Sequence, residues 1–299
     1  MAEPSPEVYF PKGGPGDPRM PPGGGSRRPR ILGGDASERN VWIAVASTAI
    51  FFGFLTIIVV RSPGWPEMKQ AFFNGQEFKE SFPSILRKFV RNIEIFCVAE
   101  VLVLSLALFL AVLRSLPGPV FTPLRILSAA YTDLFRGIPT ILVIFLLGYG
   151  MPALNLQGIP DSDFFWAIMA LVLVYSAYVA EVYRAGIQSI HGSQTAAARS
   201  LGLSRWQSMR YVVLPQAVRR VIPPLLNDFI GLQKDSALVA FLGVTEGFQQ
   251  ATIIQQSDFN FTPFVALALV YIVITIPQAR LVDRMIARDQ RRRQAGATL

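Results

Sequence analysis

Six long stretches of this chain are almost free of charge: residues 41–60, 95–113, 126–149, 164–180, 221–244, and 262–276 with a little beyond. An α-helix rises 1.5 Å per residue, so about 20 apolar residues cross the hydrocarbon of a bilayer. Only helices and closed barrels satisfy their own backbone groups in lipid. Runs of this length and composition therefore predict an all-α integral membrane protein with about six transmembrane helices. The charged fraction agrees: it is 16% here, against about 25% in soluble domains.

The segments between the runs set orientation. Arg27, Arg28, Arg30 and Arg39 precede the first run. Six arginines and no acid lie between Arg184 and Arg220, and Arg280, Arg284, Arg288, Arg291, Arg292 and Arg293 follow the sixth run. Residues 151–163 and 245–261 hold no Lys or Arg. Lys and Arg remain on the cytoplasmic side, so the pattern predicts a multi-pass protein with both termini in the cytoplasm. Residues 61–94 disagree, placing six Lys or Arg on the predicted outer side. The part from Phe82 onward reads as an amphipathic helix lying on the membrane surface.

Charges inside the runs are few. They are Glu100, Asp133, Arg136, Glu181, Asp228, Lys234 and Asp235. Arg136 stands beside Gly137 and Pro139, and Pro139 should break its helix because it lacks an amide hydrogen. Gly231 is the expected break in the fifth run. A guanidinium at Arg136 is able to grip a carboxylate with two prongs, and Asp235 to answer an ammonium or neutralise Lys234. Asp133, Arg136, Gly137, Lys234 and Asp235 are thus the candidates for a substrate path. The opposing view makes Arg136 a helix-end residue facing lipid phosphate. One cysteine, Cys97, excludes an internal disulfide, and one histidine, His191, excludes a histidine metal cluster. No GxxxxGK[ST] sequence is present to cradle nucleotide phosphates. No nucleophile–base arrangement marks an enzyme.

The cationic loop carries the most specific signal. QTAAARSLGLSRWQ resembles a helix-turn-helix, but no third helix is available to present a DNA reader. Its spacing instead resembles the cytoplasmic EAA loop of permease subunits in ATP-binding-cassette (ABC) importers: Glu-Ala-Ala, three residues, Gly, nine residues, Ile, one residue, Leu-Pro. Ala197 and Ala198 supply the alanines, Gly202 the glycine, and Val212 stands for Ile. Leu214 and Pro215 close the motif. Ala196 replaces the usual Glu. The blocks YTDLFRGIPT, SAYVAEVYRAGI and LLNDFIGLQKDSAL resemble the polar amino acid branch of that family, which also carries opines and related solutes.

The resemblance implies a type I importer permease fold, with a five-helix core and one added N-terminal helix. The resemblance extends over 92–288, the expected permease domain with coupling loop 184–220; composition and the apolar runs give the rest of the expected organisation, 1–40 a disordered Pro/Gly-rich cytoplasmic tail, 41–60 an extra transmembrane helix, 61–91 an extracytoplasmic connection and 289–299 a basic cytoplasmic tail. The implied role is a transport subunit, not an enzyme, in the cytoplasmic membrane of a prokaryote. It would bind no cofactor itself; ATP would be used by separate ATPase subunits. Its implied partners are those subunits, an extracytoplasmic solute-binding protein, a second permease (identical or related) and membrane lipid, with no nucleic acid. Coupling to the ATPase falls to Ala196, Ala197, Ala198, Gly202, Leu214 and Pro215. A channel or a membrane enzyme is the alternative from a different class.

Overall fold

The computed structural model describes residues 34–155 and 157–297. Most of the Pro/Gly-rich tail, residues 1–33, lies outside the described residues. The chain divides into two units at Trp65. The first contains helix α1 (Gly34–Arg61), which encloses the expected run 41–60. Ser47 and Thr56 donate to the carbonyls of Ala44 (3.0 Å) and Phe52 (2.7 Å), so both hydroxyls are satisfied within the helix, as an apolar surrounding demands.

The second unit begins with α2 (Trp65–Phe72) and the 41-residue α3 (Gly75–Ser115). Asn74 caps α3, its side-chain oxygen accepting from the amides of Gln76 (3.0 Å) and Glu77 (3.3 Å). The helix ends just before Pro117. At 1.5 Å per residue, α3 is about 60 Å long, roughly twice the hydrocarbon thickness. This corrects the expectation of a surface helix starting at Phe82. Phe78, Phe82, Ile85 and Phe89 recur at helical spacing, and Ile85 and Phe89 are buried in a cluster with Ala251, Ala266, Leu267 and Val270. The charges at 87, 88, 91 and 94 occupy the exposed face, which hid that stripe.

The third run is two helices, α4 (Thr122–Gly137) and α5 (Thr140–Gly148), the second followed by the single turn α6 (Gly150–Ala153). The two halves meet at 102°. Ile138 is extended (φ −102°, ψ 133°), the conformation that a following proline imposes. Helix α7 (Asp163–Gln188) starts at the cap residue Ser162, with the indole of Trp166 donating to the Pro160 carbonyl at 2.6 Å. The short helices α8 (Gly192–Ser200) and α9 (Arg205–Ser208) follow, then a π-helical turn over Met209–Val213 and α10 (Leu214–Asp235).

Helix α10 does not break at Gly231. It runs through and tightens into a 3₁₀ segment, Ser236–Leu242, which ends at Gly243 (φ +81°). A Cβ on Gly231 would lie 3.1 Å from the Tyr175 hydroxyl, so this glycine permits close approach to α7 and is not a hinge. The expected loop 245–261 is largely helix α11 (Gly247–Asp258), and α12 (Thr262–Ala297) carries the last run through Pro277. The last expected segment, 289–299, is thus helical to Ala297; residues 298 and 299 lie outside the described residues.

Helix α7 is the centre of the main core. Ala99, Val103 and Ala107 of α3 pack with Ala167, Ala170, Leu171 and Val174 of α7, joined by Ile144, Leu232, Val239 and Leu242. Lipid offers no hydrophobic drive for helix association, so close packing of small side chains supplies the attraction. Gly148 shows how close: a Cβ there would collide with the Leu242 side chain. Among the described residues, four helices are long and apolar enough to span by themselves, and six spans result if the bent pairs α4–α5 and α10–α11 count as one each.

Candidate functional site

The loop between α7 and α10 is built from local signals. His191 caps α8, its Nδ1 accepting from the Ser193 amide at 3.3 Å. Gly202 is left-handed (φ +85°), and the Leu203 and Gly202 amides donate to the carbonyls of Ala198 (3.2 Å) and Arg199 (3.0 Å). Gly adopts that conformation without a Cβ penalty. Ser204 then opens α9 with a reciprocal capping box: the Gln207 amide donates to Ser204 Oγ at 3.2 Å, and the Ser204 amide to Gln207 Oε1 at 2.8 Å. Two short helices are thus fixed on either side of one glycine.

Beneath the loop is a small core of Ile190, Val213 and Ala217, with Ile187 against it. Arg220 donates to the Ser189 carbonyl, and Val221 of α10 occupies the space that a Cβ on Gly186 would take. Of the candidate alanines, Ala198 turns inward and Ala196 and Ala197 are exposed, as are Gly202, Leu214 and Pro215. The spacing did not reveal the outward residues Leu201 (84% exposed), Trp206 (70%) and Tyr211 (65%). A tryptophan and a tyrosine amid arginines were the available signal. The exposed surface therefore carries these apolar side chains together with the exposed arginines Arg199, Arg205 and Arg210.

A second constellation lies along α7. Tyr131 anchors α4 there, its hydroxyl donating to the Leu173 carbonyl (2.9 Å) and lying 2.8 Å from Ser176 Oγ. Arg136, Gly137 and Asp133 are exposed at the end of α4. The Arg136 guanidinium carbon stands 5.8 Å from the Tyr178 ring centroid, within cation–π range. Tyr178 and Tyr175 have ring centroids 6.2 Å apart, and the Tyr175 hydroxyl donates to Asp235 Oδ2 at 2.9 Å. A cation at Arg136 and a carboxylate at Asp235 are thus joined by two tyrosines, which the sequence reading did not single out. Asp235 takes Tyr175 as its partner, whereas Lys234 is exposed. Glu181 is committed elsewhere: it binds Arg114 Nη1 at 3.2 Å and Arg184 Nε at 2.9 Å, tying α3 to α7.

Comparison with known proteins agrees with this architecture. Residues 104–291, more than half of the chain, match the family described as "Binding-protein-dependent transport system inner membrane component". The probable amino-acid permease protein YxeN of Bacillus subtilis is 34% identical over 204 residues, covering 68% of this chain and 90% of that one. The glutamate/aspartate import permease protein GltK of Escherichia coli is 33% identical over 217 residues, covering 71% and 96%. Among solved structures, a chain of an amino acid ABC transporter crystallised with histidines superimposes with a TM-score of 0.63 at 31% identity, covering 69% of this chain and 94% of its own. The methionine ABC transporter MetNI shares the fold, with a TM-score of 0.54 at 19% identity. The chain belongs to the inner-membrane permease family of binding-protein-dependent ABC importers.

Proposed function

We propose that this chain is the permease subunit of an importer for a polar amino acid, and that α8 and α9 form the surface through which separate ATPase subunits drive it. The observation that carries the reading is the exposed apolar and cationic face around Gly202, on a loop with almost no core of its own. Closure of two ATPase subunits on ATP carries two such loops together. Because the loop continues through the π-helical turn into α10, their motion rocks the spans as rigid bodies. The translocation path lies between this chain and a second permease, identical or related. Both termini and the loop face the cytoplasm, and lipid surrounds the assembly. Ala196, Ala197, Ala198, Gly202, Leu214 and Pro215 form the coupling segment; Leu201 and Trp206 join them as apolar anchors.

Amino acid chemistry follows from the relatives' names and from the α7 constellation. Arg136 receives the carboxylate and Asp235, oriented by Tyr175, answers the ammonium, while the Tyr178 ring lies between them. Asp133, Gly137 and Lys234 flank this path. The test is uptake by vesicles containing the whole transporter, its binding protein and internal ATP, against a panel of labelled amino acids. Accumulation of at least one polar amino acid, dependent on both ATP and the binding protein, is expected. Equilibration independent of ATP would point to a channel and overturn the reading.

A further inference from the structure

Phe259 occupies a position that its side chain does not suit. It ends α11 in the left-handed conformation (φ +53°, ψ 31°), where Gly or Asn is usual and a bulky residue is held at a steric cost. The residue is 83% exposed, so packing within the chain does not offset that cost.

The turn behind the ring is firmly held. Asn260 donates to the Gln70 carbonyl at 3.0 Å and accepts from the Thr262 amide at 2.9 Å. The Phe261 amide donates to the Ala71 carbonyl at 2.7 Å, and the Asn74 amide to Thr262 Oγ1 at 3.1 Å. The Phe261 ring stacks on Phe72 with centroids 5.0 Å apart. The end of α2, which lies before the residues matched to the family, is thus pinned to the turn between α11 and α12.

This junction mixes two kinds of surface. Met68, Phe72, Phe73 and Phe261 are exposed along with Phe259, and so are Glu67, Lys69, Gln70 and Asp258 beside them in sequence. The junction also stands at the head of an apolar row. Leu269, Ile272, Val273 and Ile276 recur at helical spacing on α12 and are exposed. In a member of an inner-membrane family, hydrocarbon covers such a row. Thr262 begins α12 two turns before it, about 10 Å away along the axis, where hydrocarbon gives way to headgroups.

We infer that Phe259, Phe73 and the exposed apolar edge of α2 form an anchor in the headgroup–acyl boundary of the bilayer. Apolar rings beside charged and amide side chains favour that boundary over both water and hydrocarbon. The left-handed turn presents the Phe259 ring outward, and the Asn260 clamp ties its depth to the first turn of α12. The anchor thereby helps to set how deep α12 sits, as interfacial side chains do for other spans. Glu67 and Asp258 disfavour attraction to anionic headgroups, so burial of the rings drives the contact.

The test uses the full chain with Cys97→Ser, spin-labelled at Phe259→Cys, Phe73→Cys or Asp161→Cys, in liposomes of phosphatidylcholine alone or mixed with phosphatidylglycerol. Collisions with oxygen, which concentrates in the bilayer, are compared with collisions with a water-soluble nickel chelate. The oxygen-to-nickel ratio at the two phenylalanine positions should exceed that at Asp161, an exposed loop residue, by at least about threefold in both lipids. Phe259→Asn, which suits the left-handed turn, should leave the thermal midpoint in detergent unchanged or raised. A ratio equal to that at Asp161 would place the rings in water. Exclusion of both probes would place them against protein, a second copy of the chain included. A ratio raised only by phosphatidylglycerol would make the contact electrostatic. A lowered midpoint for Phe259→Asn would make the ring part of the chain's own packing. Any of these four results would overturn the inference.

Discussion

The two ends of α10 are built in opposite ways. Where it leaves the loop, the buried residues are Val213, Ala217 and Val221, and Leu214, Pro215, Val218 and Arg219 lie open. At its far end far more is enclosed: Leu232, Gln233, Ser236, Val239, Ala240, Leu242 and Glu246 are buried, and Asn92 ties the 3₁₀ segment to α11 and α12. An end with its own core holds its shape unaided. An end with only the small core of Ile190, Val213 and Ala217, yet capped at His191, Gly202 and Ser204, fits the proposed contact with a separate subunit. Under the proposed coupling, the difference separates the end on which the ATPase acts from the end that is carried with it.

The contrast is broken most forcefully at Gly202. Gly202→Asp places a charge without a partner in the proposed interface, costing about 3 kcal/mol, roughly a hundredfold in binding. Uptake and binding-protein-stimulated ATP hydrolysis should both collapse while the protein still inserts and purifies. Gly202→Ala, which adds only the strain of φ +85°, should lose far less, about 1–2 kcal/mol. Normal uptake by a well-expressed Gly202→Asp variant would remove this end's claim to be an interface.

At the other end, Asn92→Ala should act on stability. It leaves the buried Gly247 amide and Ser236 without their partner, at about 2 kcal/mol. A lowered thermal midpoint in detergent is expected; an unchanged one would show that water or rearrangement replaces the clamp. Arg136→Lys, which keeps charge and loses the planar fork, should reduce uptake about fivefold, near 1 kcal/mol, with Arg136→Ala worse. Hydrolysis without substrate should not change. Equal rates and half-saturation in both variants would take Arg136 out of the substrate path.

The smallest stability effect sharpens the comparison most. Trp206 is 70% exposed, so Trp206→Ala should alter the thermal midpoint by an amount equivalent to no more than about 0.5 kcal/mol. Uptake should nevertheless fall. A stability loss comparable with Asn92→Ala would mean that Trp206 belongs to the loop's own core and is not an interface residue.

Sequence reading served these ends unequally, for physical reasons. Gly202 and Pro215 were legible because a left-handed turn and a helix's first turn each restrict the residue type, and the spacing between them is fixed. Ala198 inward with Ala196 and Ala197 outward was not, since three alanines carry no amphipathic signal. The break at Pro139 was legible through the missing amide hydrogen. The misassigned break at Gly231 was not, because a glycine for close approach and a glycine for bending look the same until the Tyr175 hydroxyl is placed beside it. The Asp235–Tyr175 and Asn92–Gly247 bonds join residues 60 and 155 positions apart, beyond the reach of local pattern. The first half of α3 was hidden by its own charges, whose outward face masked the stripe Phe78, Phe82, Ile85, Phe89.

Residues 192–208 are the proposed contact with the ATPase subunit. A photoactivatable side chain at Ala197 or Trp206, in the complete transporter in native membranes, tests it directly, with Ser162 as the comparison position. Crosslinks from Ala197 and Trp206 to the ATPase subunit, altered in yield by ATP, are expected, and none from Ser162. Crosslinks to the ATPase from Ser162 with none from the loop would contradict it.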